Sequence, residues 1–238
     1  MAVSDRGVMQ VSIETTGGAT PRRNSARPYT VAELVADGIV HAVGLVTAIA
    51  AGTVLLLFAA IKTAPAELPA LVVYVASLLA ALSISLVFNL WPTSPVRNWL
   101  ARVDQATIFL FIAGTYTPFL AVIGGTVDGQ LMMVLVWGAS LVGIALKLIV
   151  PERFGRLAIV LYLAIGWSGI LVFQTLAAEL PPTTLMLILA GGVAYSAGIV
   201  FHLWDRLHFQ NVLWHIFVVV GASLHLFAIL DCMVLSRL

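Results

Sequence analysis

The chain has 238 residues, of which 61% are apolar and 10% charged, with a mean hydropathy of +1.05. A water-soluble globule carries about 45–50% apolar and about 25% charged residues, so lipid rather than water must solvate most of this surface. Twelve Lys/Arg against eleven Asp/Glu give no basic field for nucleic acid, and the lone Cys232 excludes an internal disulfide or a cysteine zinc set.

Residues 1–30 differ from all that follow. They hold Arg6, Arg22, Arg23 and Arg27, Pro21 and Pro28, and several Ser, Thr and Gly. No apolar run there could form the core of a secretory signal, so a disordered cytoplasmic tail is expected. Residues 31–238 are expected to form one all-α integral membrane domain, a seven-transmembrane helix bundle. A spanning helix needs about 20 mostly apolar residues. Seven segments meet that need: 39–61, 69–91, 105–123, 130–150, 157–178, 184–203 and 211–235. Short polar stretches at 62–67, 91–102, 124–129 and 151–156 separate some of them, and no room remains for a second domain.

Lys and Arg set the expected orientation. Arg6, Arg22, Arg23, Arg27, Arg97, Arg102, Lys147, Arg153, Arg156 and Arg206 fall on one side, and only Lys62 and Arg237 on the other. The N-terminus is therefore expected inside and the C-terminus outside. Trp91, Trp99, Trp204 and Trp214 lie near the predicted cytoplasmic boundary, where indoles concentrate. Rhodopsin-type receptors have the opposite orientation. Retinal proteins need a Schiff-base lysine in the last helix, and 211–235 contain none.

Polar groups within a bilayer are costly, so each is a candidate functional residue. Most gather at one depth. Glu33, Asp37 and His41 are spaced i, i+4, i+8 at the start of the first span and share one helix face. Ser85 and Asn89 close the second span, Asp104 opens the third, and Asn211 and His215 open the seventh. Asp104 and Asn211 also suit helix starts, where acids and asparagine satisfy the first turn. His225 lies on the same face of the last span as His215 but about 15 Å deeper; a hydrogen-bonded bundle residue is expected. In the third span Gly114-Thr115-Tyr116-Thr117-Pro118 predicts a proline kink, with threonine hydroxyls compensating and small residues allowing close helix packing.

These strings carry a family resemblance. DQATIFLFIAGTYTP (104–118), NVLWHIFVVVGASLHL (211–226) and ELVADGIVHAVG (33–44) resemble the hemolysin III branch of the progestin and adipoQ receptor superfamily, the adiponectin receptor-like proteins, across all seven spans. That resemblance implies a zinc site built from Ser-x3-His in the second span, Asp in the third and His-x3-His in the seventh. Three imidazoles would hold Zn²⁺ and leave a position for water. It also implies two activities, hydrolysis of lipid amides and a pore-like cytolytic action (hemolysis).

The chain departs from that pattern. Asn89 and Asn211 stand where the family has histidine, and Asp37 where it has asparagine. Of the three imidazoles only His215 survives, with Ser85 and Asp104 retained. The zinc site is accordingly read as degenerate. A rebuilt set remains open, in which Asp37, Glu33 or Asp104 joins His215 and His41, a His/carboxylate combination suited to Zn²⁺ or Mn²⁺.

Three functions compete. The leading expectation is a non-catalytic membrane protein that binds lipid or serves membrane homeostasis. An alternative is a metal-dependent lipid amide hydrolase in which Asp104 and Ser85 are catalytic. A third is a channel or cytolysin, which needs a polar stripe across the whole membrane; only Ser83, Thr117, Tyr162, Ser168, Gln174, Tyr195, Ser196 and His225 are candidates. The expected partner is membrane lipid and the expected location a cell membrane, specifically a bacterial inner membrane.

Overall fold

The computed structural model describes residues 29–151 and 154–237; the expected tail, up to residue 28, lies outside them. The helices are α1 (Val31–Lys62), α2 (Leu68–Leu90), α3 (Pro95–Val122), α4 (Val127–Ile149), α5 (Gly155–Gly166), α6 (Phe173–Glu179), α7 (Pro182–His202) and α8 (Gln210–Met233). They supply seven segments long and apolar enough to cross a membrane, with α5 and α6 as two parts of the fifth. The protein is an all-α, multi-pass membrane protein.

α1 begins eight residues before the expected boundary of 39. The reason is local. Thr30 and Glu33 form a reciprocal capping box, the Thr30 hydroxyl accepting from the Glu33 N–H and the Glu33 carboxylate from the Thr30 N–H. The buried stripe of α1 runs Glu33, Asp37, His41, Gly44, Ala48, Gly52, Leu55, Ala59, with helical periodicity throughout. Its first three members are polar and the rest apolar, so the polar triplet is part of the helix rather than a lead-in to it. The outer face, including Val43, Ile49 and Leu57, is apolar and meets lipid.

α3 is the most deeply buried of the seven spans among the described residues, packed by α2, α4, α5 and α8. α8 closes the bundle between α7 and α1, whereas α5 touches α7 sparingly. Close approach depends on small residues. A Cβ on Gly114 would collide with the side chain of Ser77, and one on Gly143 with the ring of Phe109, 2.5 Å away. α3 continues through Pro118 to Val122. The Thr115 and Thr117 hydroxyls donate to the carbonyls of Phe111 and Ala113 (2.8 and 2.7 Å), the second of which adjoins that of Gly114, which proline cannot serve.

The fifth span is broken, where the sequence predicts a continuous helix over 157–178. α5 ends at Gly166, a 3-10 segment covers Ser168–Val172, and α6 follows. In lipid the backbone groups freed by such a break need partners. Tyr116 supplies two: its hydroxyl donates to the Gly166 carbonyl at 2.6 Å and accepts the Gly169 N–H at 2.9 Å. Beside it, the Trp167 indole donates to Ser196 Oγ at 3.0 Å.

Candidate functional site

Four helices bring their polar residues together at the end where α1 begins. Asp37 is the hub. Its Oδ1 accepts from His215 Nδ1 at 2.6 Å and its Oδ2 from Asn211 Nδ2 at 3.0 Å, joining α1 to α8. Its backbone carbonyl lies 2.8 Å from His41 Nδ1. A carbonyl can only accept, so that nitrogen carries a proton, and Nε2 lies 3.0 Å from the Ser85 hydroxyl. The His41 and His215 rings meet edge to face, with centroids 4.1 Å apart. Asn89 donates to the Ser85 carbonyl at 2.9 Å and lies 3.4 Å from the Asn211 amide. Ser85 also lies within reach of Asp104.

Glu33 does something else. One carboxylate oxygen accepts the Phe209 N–H at 2.7 Å and the other the Thr30 backbone N–H and hydroxyl. Phe209 is the non-glycine residue with positive φ (58°) among the described residues, at the start of α8. Glu33 thus ties the connection before α8 to the first turn of α1, a structural duty. The ligand atoms that converge are those of Asp37, His41 and His215. The sequence spacing groups Glu33 with Asp37 and His41, but nothing in one helix's periodicity could show that its carboxylate turns toward a loop.

An elongated cavity of about 160 Å³ extends from this cluster into the bundle. His41, Ser85, Asp104 and His215 line its polar end, and Leu78, Ile108, Phe111, Ile112, Val218 and Ala222 line its wall. Tyr116, Trp167, Ser196 and His225 lie around the deeper part. His225 is held away from the polar end, as its sequence position predicts, with Nε2 3.1 Å from the Ile188 carbonyl and its ring against Gly191. The Tyr116–Gly166 bridge and Trp167 were not legible as site features, because their role arises only from the break in the fifth span.

Positions 89 and 211, where the family resemblance implies histidine ligands, hold asparagines. Their side-chain amides engage Ser85 and Asp37 directly. A different set converges: Asp37, His41 and His215 each offer a ligand atom, all within 4.8 Å of one another. Asp37 uses both oxygens, His41 both ring nitrogens and His215 its Nδ1 in hydrogen bonds within the protein. Asp104 is not in that group.

Comparison with known proteins follows the same lines. Residues 30–226 match the family model described as Haemolysin-III related. The chain belongs to the haemolysin-III family. The "Hemolysin-3 homolog" of Bacillus subtilis (strain 168) is 32% identical over 205 residues, covering 85% of this chain and 95% of that protein. "Hemolysin-3" of Bacillus cereus is 30% identical over 200 residues, covering 84% and 91%. The human "Monocyte to macrophage differentiation factor" is 27% identical over 163 residues, covering 66% and 67%, a likeness that extends to the progestin and adipoQ receptor superfamily.

Proposed function

We propose that this haemolysin-III protein binds a lipid in its internal cavity without performing chemistry on it, in a bacterial inner membrane with the polar cluster at the cytoplasmic side. The observation that carries this reading is the cavity's polarity: an apolar wall with hydrogen-bonding groups gathered at one end. That is the shape of a site for an amphiphile, because burial of a chain is favourable along the wall and a head group needs partners only at the tip. The head-end residues are also held in place by one another. Asp37, His41, His215 and Ser85 form direct hydrogen bonds. The test is equilibrium binding of a single-chain lipid to delipidated protein. Saturable one-to-one binding that weakens in Val218→Phe and Ile112→Phe, which fill the cavity, is expected; binding unaffected by either substitution would refute it.

A second reading is favoured by the convergence of Asp37, His41 and His215, a mixed His/carboxylate set of a kind that holds divalent metal. It would make the protein a metal-dependent hydrolase of lipid amides, with Ser85 and Asp104 beside the metal. Its test is elemental analysis for zinc and manganese, with His215→Ala alongside. Near-stoichiometric metal absent from the variant supports it, and metal absent from both removes it.

The pore reading receives less support. Several hydroxyls are bonded to backbone carbonyls three or four residues earlier in the chain: Thr117 to Ala113, Ser168 to Ile165 and Ser196 to Gly192. A conducting path needs those groups turned toward water. Planar-bilayer recordings are expected to show no steps above the detergent control, and reproducible steps would reinstate a channel.

A further inference from the structure

The charges around the cavity select among lipid head groups, an inference that rests on the lipid-binding reading. Asp104 is the one acid among the cavity-lining residues described, and no lysine or arginine is among them. The other carboxylate at this end, Asp37, is already engaged by His215 and Asn211. Ser85, within reach of Asp104, is held by His41 Nε2 at 3.0 Å. His41 is bonded through both ring nitrogens, and His225 lies far down the cavity, bonded to the Ile188 carbonyl. That leaves Asp104 as the one carboxyl of the cavity lining, beside His215, whose Nδ1 is already bonded to Asp37.

Inside a low-dielectric wall an ionised carboxylate attracts a cation and repels an anion far more strongly than it would in water. Tyr162 lines the same cavity within electrostatic reach of Asp104, its ring packed against Phe109. The wall runs along α3 from Asp104 to Tyr116, about 18 Å at the helical rise. Its volume, about 160 Å³, falls below the roughly 300 Å³ at which ordinary ligand pockets begin, which suits one thin chain rather than a two-chain phospholipid. We propose that the cavity selects a single-chain lipid with a positively charged amine head, and that Asp104 is its counter-ion.

The experiment uses the full chain, delipidated in a neutral detergent near neutral pH. Stearylamine, stearyl alcohol and stearate compete with a brominated stearyl alcohol that quenches the cavity tryptophans Trp167 and Trp214. In the wild type the amine is expected to bind at least tenfold more tightly than stearate, with the alcohol between them. Asp104→Asn should bring the amine-to-alcohol ratio to near one, and Asp104→Glu should retain the preference. Stearate binding as tightly as the amine, or an amine preference unchanged in Asp104→Asn, overturns the proposal while leaving lipid binding intact. Failure of all three to compete would overturn the lipid-binding reading itself, and this inference with it. Should Asp104→Asn fail to fold, the wild-type order of amine and stearate decides.

Discussion

His215 Nδ1 stands 2.6 Å from Oδ1 of Asp37, although the two residues come from the last span and the first. The same carboxylate reaches Asn211 one turn earlier in α8. Asp37 therefore fastens α8 to α1 through two contacts on successive turns, at a position where the family pattern has asparagine. A carboxylate can accept both bonds at once, and hydrogen bonds to a charged group contribute about 1.5–3 kcal/mol each.

Asp37→Ala should consequently lower thermal stability more than either partner's substitution alone, because it leaves His215 Nδ1 without its acceptor and Asn211 with only its 3.4 Å contact to Asn89. The expected loss is about 2–4 kcal/mol, read as a drop in the unfolding midpoint in detergent. His215→Ala and Asn211→Ala, combined with Asp37→Ala, should add little further, since each pair shares one interaction. Additive losses would contradict the shared hub.

The fit of α2 against α3 makes a sharper prediction. A methyl group at position 114 has nowhere to go, because the Ser77 side chain occupies its place. Gly114→Ala is expected to cost about 1–3 kcal/mol, the usual range for overpacking. Ser77→Gly in the same chain should recover much of that loss, and a double-mutant cycle on the unfolding midpoint measures the recovery.

Tyr116 gives a local test of the broken fifth span. Tyr116→Phe removes the acceptor for the Gly169 N–H and the donor to the Gly166 carbonyl. Hydrogen exchange at the Gly169 amide should accelerate by tenfold or more, with little change in α1 and α2. Unchanged exchange would mean that other groups hold the break.

The lost imidazoles can be restored. Asn89→His with Asn211→His recreates the family's two missing histidines beside His215, and Asp37→Asn removes the carboxylate that now engages His215 and Asn211. Elemental analysis of the triple variant grown with zinc is expected to find close to one zinc per chain. An absence of zinc would mean that the surrounding structure, as well as the ligands, has diverged.

Much of the architecture was legible because lipid imposes strict demands. Every spanning segment must be long, apolar and helical, so seven segments stood out, and the polar exceptions fell at i, i+4 spacings that placed them at one depth. The start of α1 was not legible from hydropathy. Glu33, Asp37 and His41 interrupt the apolar run yet face the interior, and only the Thr30–Glu33 box marks the true start. The break after Gly166 was hidden because Trp167–Val172 is apolar apart from Ser168; the groups that permit it, Tyr116 and Ser196, lie on other helices. In the site, spacing grouped the right helices but not the pairing. That Asp37 reaches His215 while Glu33 turns to Phe209 depends on how α1 and α8 cross, which no single-helix pattern contains.

Native mass spectrometry of the protein released intact from its own membrane tests the central claim most directly, because one spectrum separates a lipid adduct from a metal adduct. The account predicts a population carrying one single-chain lipid and no bound metal, the lipid being lost in Val218→Phe. A spectrum with a stoichiometric zinc or manganese ion that disappears in His215→Ala, and no lipid, would contradict it and establish the Asp37–His41–His215 group as a metal centre.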